Sequence, residues 1–276
     1  MKQLRIIRIV TATLFFVASA AFLIIGPAAH GIIVLSEKTQ IILSALSVTI
    51  GTTLVWFLLT LLFGRIYCST VCPIGWLTEL FARLGRSLQR RRPKMFRPTG
   101  WKSRCKWSGH ILVVYVVCLL IGLVAVPFAI EPWNITRNIF SVVHPSAVSA
   151  TWVEFGYGAA TGIVAGIVSF LLISAVSAMR GREFCTDICP LGTALGLIGD
   201  RTLYHIEIDP DMCISCGNCE DACTAHCIKV VSRYVDNPRC LRCLDCISVC
   251  PNDAIRFQIN RNRRITPLLR GRQRAR

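Results

Sequence analysis

Charged residues are missing from four long stretches of this chain, and apolar side chains fill them almost without interruption. The stretches are residues 9–29, 41–63, 109–130 and 157–179. Each matches the roughly 20 residues that a helix needs to cross a hydrocarbon core. The pattern predicts an all-α membrane domain of four transmembrane helices within residues 1–200. Lys2, Arg5 and Arg8 before an apolar run, with Ala18, Ser19 and Ala20 inside it, imitate a cleavable signal peptide. The run continues through Phe22, Leu23, Ile24 and Ile25, so it reads as a span, and four spans return both termini to one side. Beyond Pro73 the periodicity changes. Leu77, Leu80, Phe81, Leu84 and Leu88 recur at helical spacing opposite Arg83, Arg86 and Arg90, predicting a helix that lies on the membrane surface. Past residue 200 the apolar runs shorten, which predicts a separate small domain over 201–260 and a basic tail over 261–276.

Charge sets the orientation of the spans. Of 31 Lys and Arg residues, 29 fall on the side that holds both termini, and only Lys38 and Arg137 lie in the opposite loops. The positive-inside rule makes the basic side cytoplasmic. Trp133 and Trp152, in the outer loop between spans three and four, suit interfacial anchors. A net charge of +16 on a soluble domain would suggest nucleic acid. Here it is distributed as a topology signal and suits anionic lipid headgroups, which removes the nucleic-acid reading. Composition agrees: 53% of residues are hydrophobic and mean hydropathy is +0.55, too apolar for an ordinary soluble domain. Span four carries Gly158, Gly162 and Gly166, a ridge read as helix packing.

The 15 cysteines are clustered, as metal ligation requires and a disulfide framework does not. Two segments repeat at an offset of 117 residues: Gly64 to Gly75, containing Cys68-x-x-x-Cys72-Pro73, and Gly181 to Gly192, containing Cys185-x-x-x-Cys189-Pro190. Each follows an outward-to-inward span, so both CxxxCP motifs (68–73 and 185–190) are expected at the cytoplasmic membrane surface. Proline favours the first helical position, placing Cys72 and Cys189 at helix N-termini, where the helix end and the nearby Arg65 and Arg182 favour thiolate. Cys68, Cys72, Cys185 and Cys189 are therefore candidate redox or cofactor cysteines, able to meet as one four-thiolate site between the two hairpins. A Cys that merely packs before Pro is the simpler reading of a single motif, and the matched pair weighs against it.

Cys213, Cys216, Cys219 and Cys223 form a first C-x-x-C-x-x-C-x-x-x-C run, and Cys240, Cys243, Cys246 and Cys250 a second that ends in Pro251. In two-cluster ferredoxins the fourth cysteine of each run ligates the other cluster. The first [4Fe-4S] cluster is then expected on Cys213, Cys216, Cys219 and Cys250, and the second on Cys240, Cys243, Cys246 and Cys223. This describes a small α+β two-cluster bacterial-type ferredoxin domain. Zinc also takes four thiolates, but its structural sites usually pair two short knuckles across a loop. The first run departs from the usual Cys-Pro ending at Thr224. Cys227 holds the place of Ala254 in the second run and is read, with Cys105 and Cys118, as structural. No CxxCH is present, and His30, His110 and His144 are read as single residues, so no haem is expected. His144, Glu131 and Glu154 are the outer-loop groups able to take protons from a quinol.

Four spans, two cytoplasmic CxxxCP motifs and a C-terminal pair of cluster-binding runs together resemble the NapH/MauN type of membrane ferredoxin. The resemblance runs from the first span to about Gln258. It implies a multi-pass protein of the bacterial inner membrane that passes electrons between the quinone pool and an iron-sulfur or cytochrome partner, as a quinol dehydrogenase component. A maturation or assembly reductase supplying electrons for biogenesis of another enzyme is the second expectation, and a membrane redox sensor the third.

Overall fold

The computed structural model describes residues 2–25, 50–91, 107–121, 130–141 and 159–259. In chain order the helices are α1 (Lys2–Ile25), α2 (Ile50–Phe63), the single turn α3 (Tyr67–Thr70), α4 (Pro73–Arg91), α5 (Trp107–Ile121), α6 (Pro132–Ser141), α7 (Ala159–Arg180), α8 (Pro190–Ile198) and the short α9 (Asn218–Ala222) and α10 (Asp245–Val249). A π-helical turn at Phe184–Ile188, a 3-10 turn at Gly199–Arg201 and four strands, β1 (Tyr204–Ile208), β2 (Ile228–Lys229), β3 (Tyr234–Val235) and β4 (Ile255–Ile259), make up the other described elements.

Helices α1, α2, α5 and α7 occupy the four apolar stretches. Among the described residues α1 alone is long and apolar enough to cross a membrane, over Gln3–Ala21. The other three contribute shorter apolar runs, Leu54–Phe63, Ser108–Ile121 and Val164–Arg180. Residues 26–29, 41–49, 122–129 and 157–158 of the expected spans lie outside the described residues. Leu14, Phe57, Val113, Leu120 and Leu171 are exposed on these helices, an apolar surface larger than scattered single residues would make.

Helix α4 forms where the periodicity places it, but it is not confined to a surface. Ile74, Thr78, Glu79 and Ala82 are buried, while Leu80, Leu84 and Leu88 form the exposed apolar stripe. The helix packs on α1, α6 and α7. A Cβ on Gly85 would stand 2.0 Å from the Ala178 carbonyl of α7, so the two backbones touch there. Gly166 has the same use against α6, where a Cβ would meet the Asn138 carbonyl at 1.9 Å. Trp133 departs from its expected place as an interfacial anchor: it is 3% exposed, because α6 folds onto α7 and turns Trp133 and Ile135 into the core. Phe16 of α1 stacks on Trp76 of α4 at 4.1 Å and extends this core.

The C-terminal unit pairs its first and last strands. β1 and β4 run antiparallel, from Tyr204 opposite Ile259 to Ile208 opposite Ile255, and β2 pairs β3 with Ile228 opposite Val235. Ile206, Ile228, Leu241, Ile247 and Ile255 are buried beneath them. The unit is internally duplicated at the level of backbone angles. Ser215, Gly217 and His226 have positive φ, and so do Arg242, Leu244 and Asp253, each 27 residues later. Leu244 thus takes the left-handed turn that Gly217 takes in the first loop, at a cost of about 1–2 kcal/mol for an L side chain. The unit rests on the end of α2: Leu203 N–H donates to the Leu61 carbonyl at 3.0 Å, and the Phe63 ring stacks on Tyr204 at 5.3 Å.

Candidate functional site

The eight run cysteines line two separate hollows. Cys213, Cys216, Cys219 and Cys250 line the first, with Ile208, Val230 and Ile255. Cys223, Cys240, Cys243 and Cys246 line the second, with Ile206, Ile228 and Leu244. Each hollow therefore takes three cysteines from one run and the fourth from the other. Local backbone explains the grouping. The paired left-handed turns at Ser215 and Gly217, and at Arg242 and Leu244, curl each CxxCxxC loop so that its sulfurs converge, while α9 and α10 carry Cys223 and Cys250 across at their C-terminal ends. Backbone donors aim at sulfur: Ala254 N–H at Cys250 Sγ (3.3 Å) and Cys227 N–H at Cys223 Sγ (3.5 Å). Among the described residues no three His, Cys, Asp or Glu side chains close around a single ion. The hollows, thiol-lined and otherwise apolar, fit a larger group that interposes its own atoms between the cysteines. Thr224, the departure from Cys-Pro, is buried, and its carbonyl accepts from the Arg182 N–H at 2.8 Å.

The CxxxCP cysteines come together in the core rather than at a surface. Cys68, Cys72, Cys185 and Cys189 are all under 9% exposed. The left-handed Gly64 and Gly181 end α2 and α7 and turn the chain back, so that Tyr67 packs edge-on against Trp56, two turns up α2. Cys189 caps α8, its sulfur accepting from the Gly192 N–H at 3.4 Å, with Pro190 at the first helical position. The expected thiolates are not favoured here. Burial raises Cys68 to about 11, with the Cys185 charge adding to it and Arg65 and Arg182 only partly opposing it. Burial and neighbouring cysteines likewise raise Cys72 and Cys189, outweighing the helix-end N–H groups.

Two arginines lock the repeats together crosswise. Arg182 of the second repeat donates to the Cys68 carbonyl of the first at 2.8 Å, and Arg65 of the first to the Cys185 carbonyl of the second at 3.4 Å. Both are fully buried, and Gly75 and Gly192 leave the room: a Cβ on either would stand 2.1 Å from the Cys68 or Cys185 carbonyl. Thr78 Oγ1 touches Cys185 Sγ at 3.5 Å.

Between this quartet and the second hollow lies a buried charge network. Glu79 accepts two bonds from Arg8, at 2.7 and 2.6 Å, one from Arg182 at 3.2 Å and a short one from Arg83. Burial alone would raise the Glu79 pKa, but the Arg8 hydrogen bonds and the charges of Arg182, Arg8 and Arg83 bring it down to about 2. Arg5 and Arg83 continue to Asp245, which follows Cys243 by two positions and begins α10. Cys243 lies within electrostatic reach of both Arg8 and Arg182. Arg242, from the same loop, donates to the Phe63 carbonyl at 3.1 Å and so caps the end of α2. The second hollow thus faces the helices, whereas Cys216 of the first is exposed.

Glu79 was not singled out by its sequence pattern, although it is the one acid among eleven basic residues between Gly64 and Ser108. Of the three proton-accepting candidates, the structure describes Glu131: it is 4% exposed, accepts from Asn134 Nδ2, and is pushed up to about 7 by burial against the pull of Arg137. His110 is exposed at the start of α5 and Cys118 is half-buried within it. His30, Cys105, His144, Trp152, Glu154, Gly158 and the tail 261–276 lie outside the described residues.

Comparison with known proteins agrees with this geometry. One family model, a 4Fe-4S binding domain, matches residues 45–92 and 163–206, the two CxxxCP segments. A second 4Fe-4S binding domain model matches residues 206–229 and 233–256, the two cysteine runs. An uncharacterised protein of Methanocaldococcus jannaschii is 27% identical over 93% of this chain and 88% of its own length. The ferredoxin-type protein NapH of Haemophilus influenzae is 26% identical over 75% of this chain and 67% of its own. The methylamine utilization ferredoxin-type protein MauN of Paracoccus denitrificans is 28% identical over 63% and 53%. No solved structure matches. With iron-sulfur matches over both halves and relatives of these two names, the chain is a ferredoxin-type iron-sulfur electron-transfer protein of the NapH/MauN kind.

Proposed function

We propose that this chain is a four-span protein of the inner membrane, with both termini cytoplasmic, that relays electrons between the quinone pool and an iron-sulfur or cytochrome partner. Residues 1–200 form the membrane unit and 201–260 the ferredoxin unit. Cys213, Cys216, Cys219 and Cys250 hold the first [4Fe-4S] cluster, and Cys240, Cys243, Cys246 and Cys223 the second. Each cluster, when bound, supplies a one-electron carrier. The chain's own residues exclude water from the second site, balance its charge with Arg8 and Arg182, and leave the first site open to a partner at Cys216. The carrying observation is this polarity: the second hollow sits over the network that also grips the CxxxCP quartet, and the first faces outward. The exposed apolar faces of α1, α2, α5 and α7 support the membrane setting. Glu131, buried and raised to about 7, is suited in its ionised form to take a quinol proton near neutral pH.

The assembly-reductase reading asks the CxxxCP thiols to exchange with an external disulfide. Their burial disfavours that and favours an internal role, as a further redox centre or a structural clasp. The deciding experiment is anaerobic purification from membranes with iron and sulfide analysis. About eight of each per chain is expected for two cubane clusters, with bleaching of the visible absorbance by dithionite. A colourless zinc protein overturns the assignment, and full recovery of the chain in the soluble fraction overturns the membrane placement.

A further inference from the structure

The two hollows share one backbone contact, and the side chain of the residue that makes it differs between them. Ala254 N–H donates to Cys250 Sγ, and Cys227 N–H to Cys223 Sγ, at positions that correspond across the 27-residue duplication. At the first hollow the residue making this contact ends in a methyl group. At the second it ends in a thiol. Cys227 Sγ lies 3.4 Å from Cys223 Sγ, is 1% exposed, and lines the second hollow with Cys223, Cys240, Cys243 and Cys246. It is a fifth cysteine in a site for four.

Resting on the two-cluster reading above, we propose that the Cys227 thiol is a positioning group of the second cluster, donating a hydrogen bond to Cys223 Sγ and thereby raising that cluster's reduction potential. The donor direction follows from the chemistry. A cysteine bound to iron has given up its proton, so only Cys227 can supply one across this contact. The sign follows as well. Reduction adds one negative charge to the cluster and its sulfurs, and a donor on a ligand sulfur stabilises the more negative state. Cys227 is held for this by its neighbours, since its carbonyl accepts from the Asp236 N–H at 2.8 Å beside the β2–β3 pair. Ala254 gives the first cluster no such side-chain donor, so the duplication has been made unequal at one position.

The test compares the full-length wild type, Cys227→Ala, Cys227→Ser and Ala254→Cys, purified anaerobically in detergent. Iron and sulfide are counted first, and the midpoint potentials are then read by redox titration followed by electron paramagnetic resonance. All four proteins are expected to hold about eight iron atoms. Cys227→Ala should move one midpoint to lower potential and leave the other in place, Cys227→Ser should restore most of the shift through its hydroxyl, and Ala254→Cys should raise the other midpoint. Unchanged midpoints in Cys227→Ala with full iron overturn the proposal. So does a loss of half the iron in that variant, which would make Cys227 a ligand. If Cys227→Ala does not accumulate, Cys227→Ser and Ala254→Cys decide by the same shifts. Fewer than eight iron atoms in the wild type would instead refute the two-cluster reading.

Discussion

Replacing Glu79 by Gln removes the one acid on which three arginines converge, and the structure sets how much that should cost. Glu79 is 6% exposed, so little solvent screening discounts its interactions. Its pKa of about 2, against an ordinary 4.5, corresponds to about 3 kcal/mol in favour of the folded state. The sign is that of a depressed carboxylate: the contribution is complete above about pH 4.5 and is lost as pH falls toward 2. The Gln variant also leaves Arg8 and Arg182 buried without their counter-charge, and breaking a buried pair in this way costs about 3–5 kcal/mol. Arg83 is the internal comparison. Its side chain is 34% exposed, and Arg83→Ala should cost no more than about 1 kcal/mol. Thermal bleaching of the iron-sulfur absorbance in detergent at pH 7.5 is the assay. At about 2–4 °C per kcal/mol, Glu79→Gln should melt about 6–20 °C below the wild type, and Arg83→Ala within about 4 °C of it. A Glu79→Gln protein that melts with the wild type, or an Arg83→Ala protein less stable than Glu79→Gln, would mean that Glu79 is not the buried counter-charge of Arg8 and Arg182.

Glu131 carries the opposite sign. Raised to about 7, its carboxyl favours folding while protonated, and that advantage is lost as pH rises through this value, so Glu131→Gln should gain about 2 kcal/mol on the wild type between pH 5.5 and pH 8. Chemical denaturation at the two pH values measures this, and parallel profiles would show that the carboxyl is not buried. Gly75→Ala and Gly192→Ala each drive a methyl group into a cysteine carbonyl 2.1 Å away, and both should lower the yield of folded protein from membranes, whereas Gly109→Ala, with nothing within 4 Å, should not. Equal yields for all three would show that the helix after each CxxxCP motif does not pack this closely on the cysteine turn of its own repeat.

The chemistry was more legible in this sequence than its depth. Ligand spacing puts three cysteines of each run on one short loop, and the exchange of the fourth is an expectation drawn from two-cluster ferredoxins; in the structure Cys250 lines the hollow of the first three and Cys223 that of the second three. The 117-residue repeat likewise makes a meeting of the four CxxxCP cysteines foreseeable. Their burial was not, since it depends on left-handed turns at Gly64 and Gly181 that fold each motif back beside the helix it follows. Hydropathy treats Arg65 and Arg182 as surface charge, yet both have no exposure, because their partners are backbone carbonyls and one distant acid. Trp133 shows the same limit: an aromatic in a short loop looks interfacial until α6 supplies the helix that carries it inward.

The crosswise arginines say something about how such a chain could arise. Each repeat offers one guanidinium and accepts one at the equivalent carbonyl, which is the self-complementary pattern of an interface between two identical subunits related by a two-fold axis. A single helical hairpin carrying one CxxxCP motif would satisfy every one of these bonds with a copy of itself. Gene fusion then fixes both halves in one polypeptide and frees them to diverge, and the ferredoxin unit already exploits that freedom, placing Arg242 against Gly64 in one half and Thr224 against Gly181 in the other.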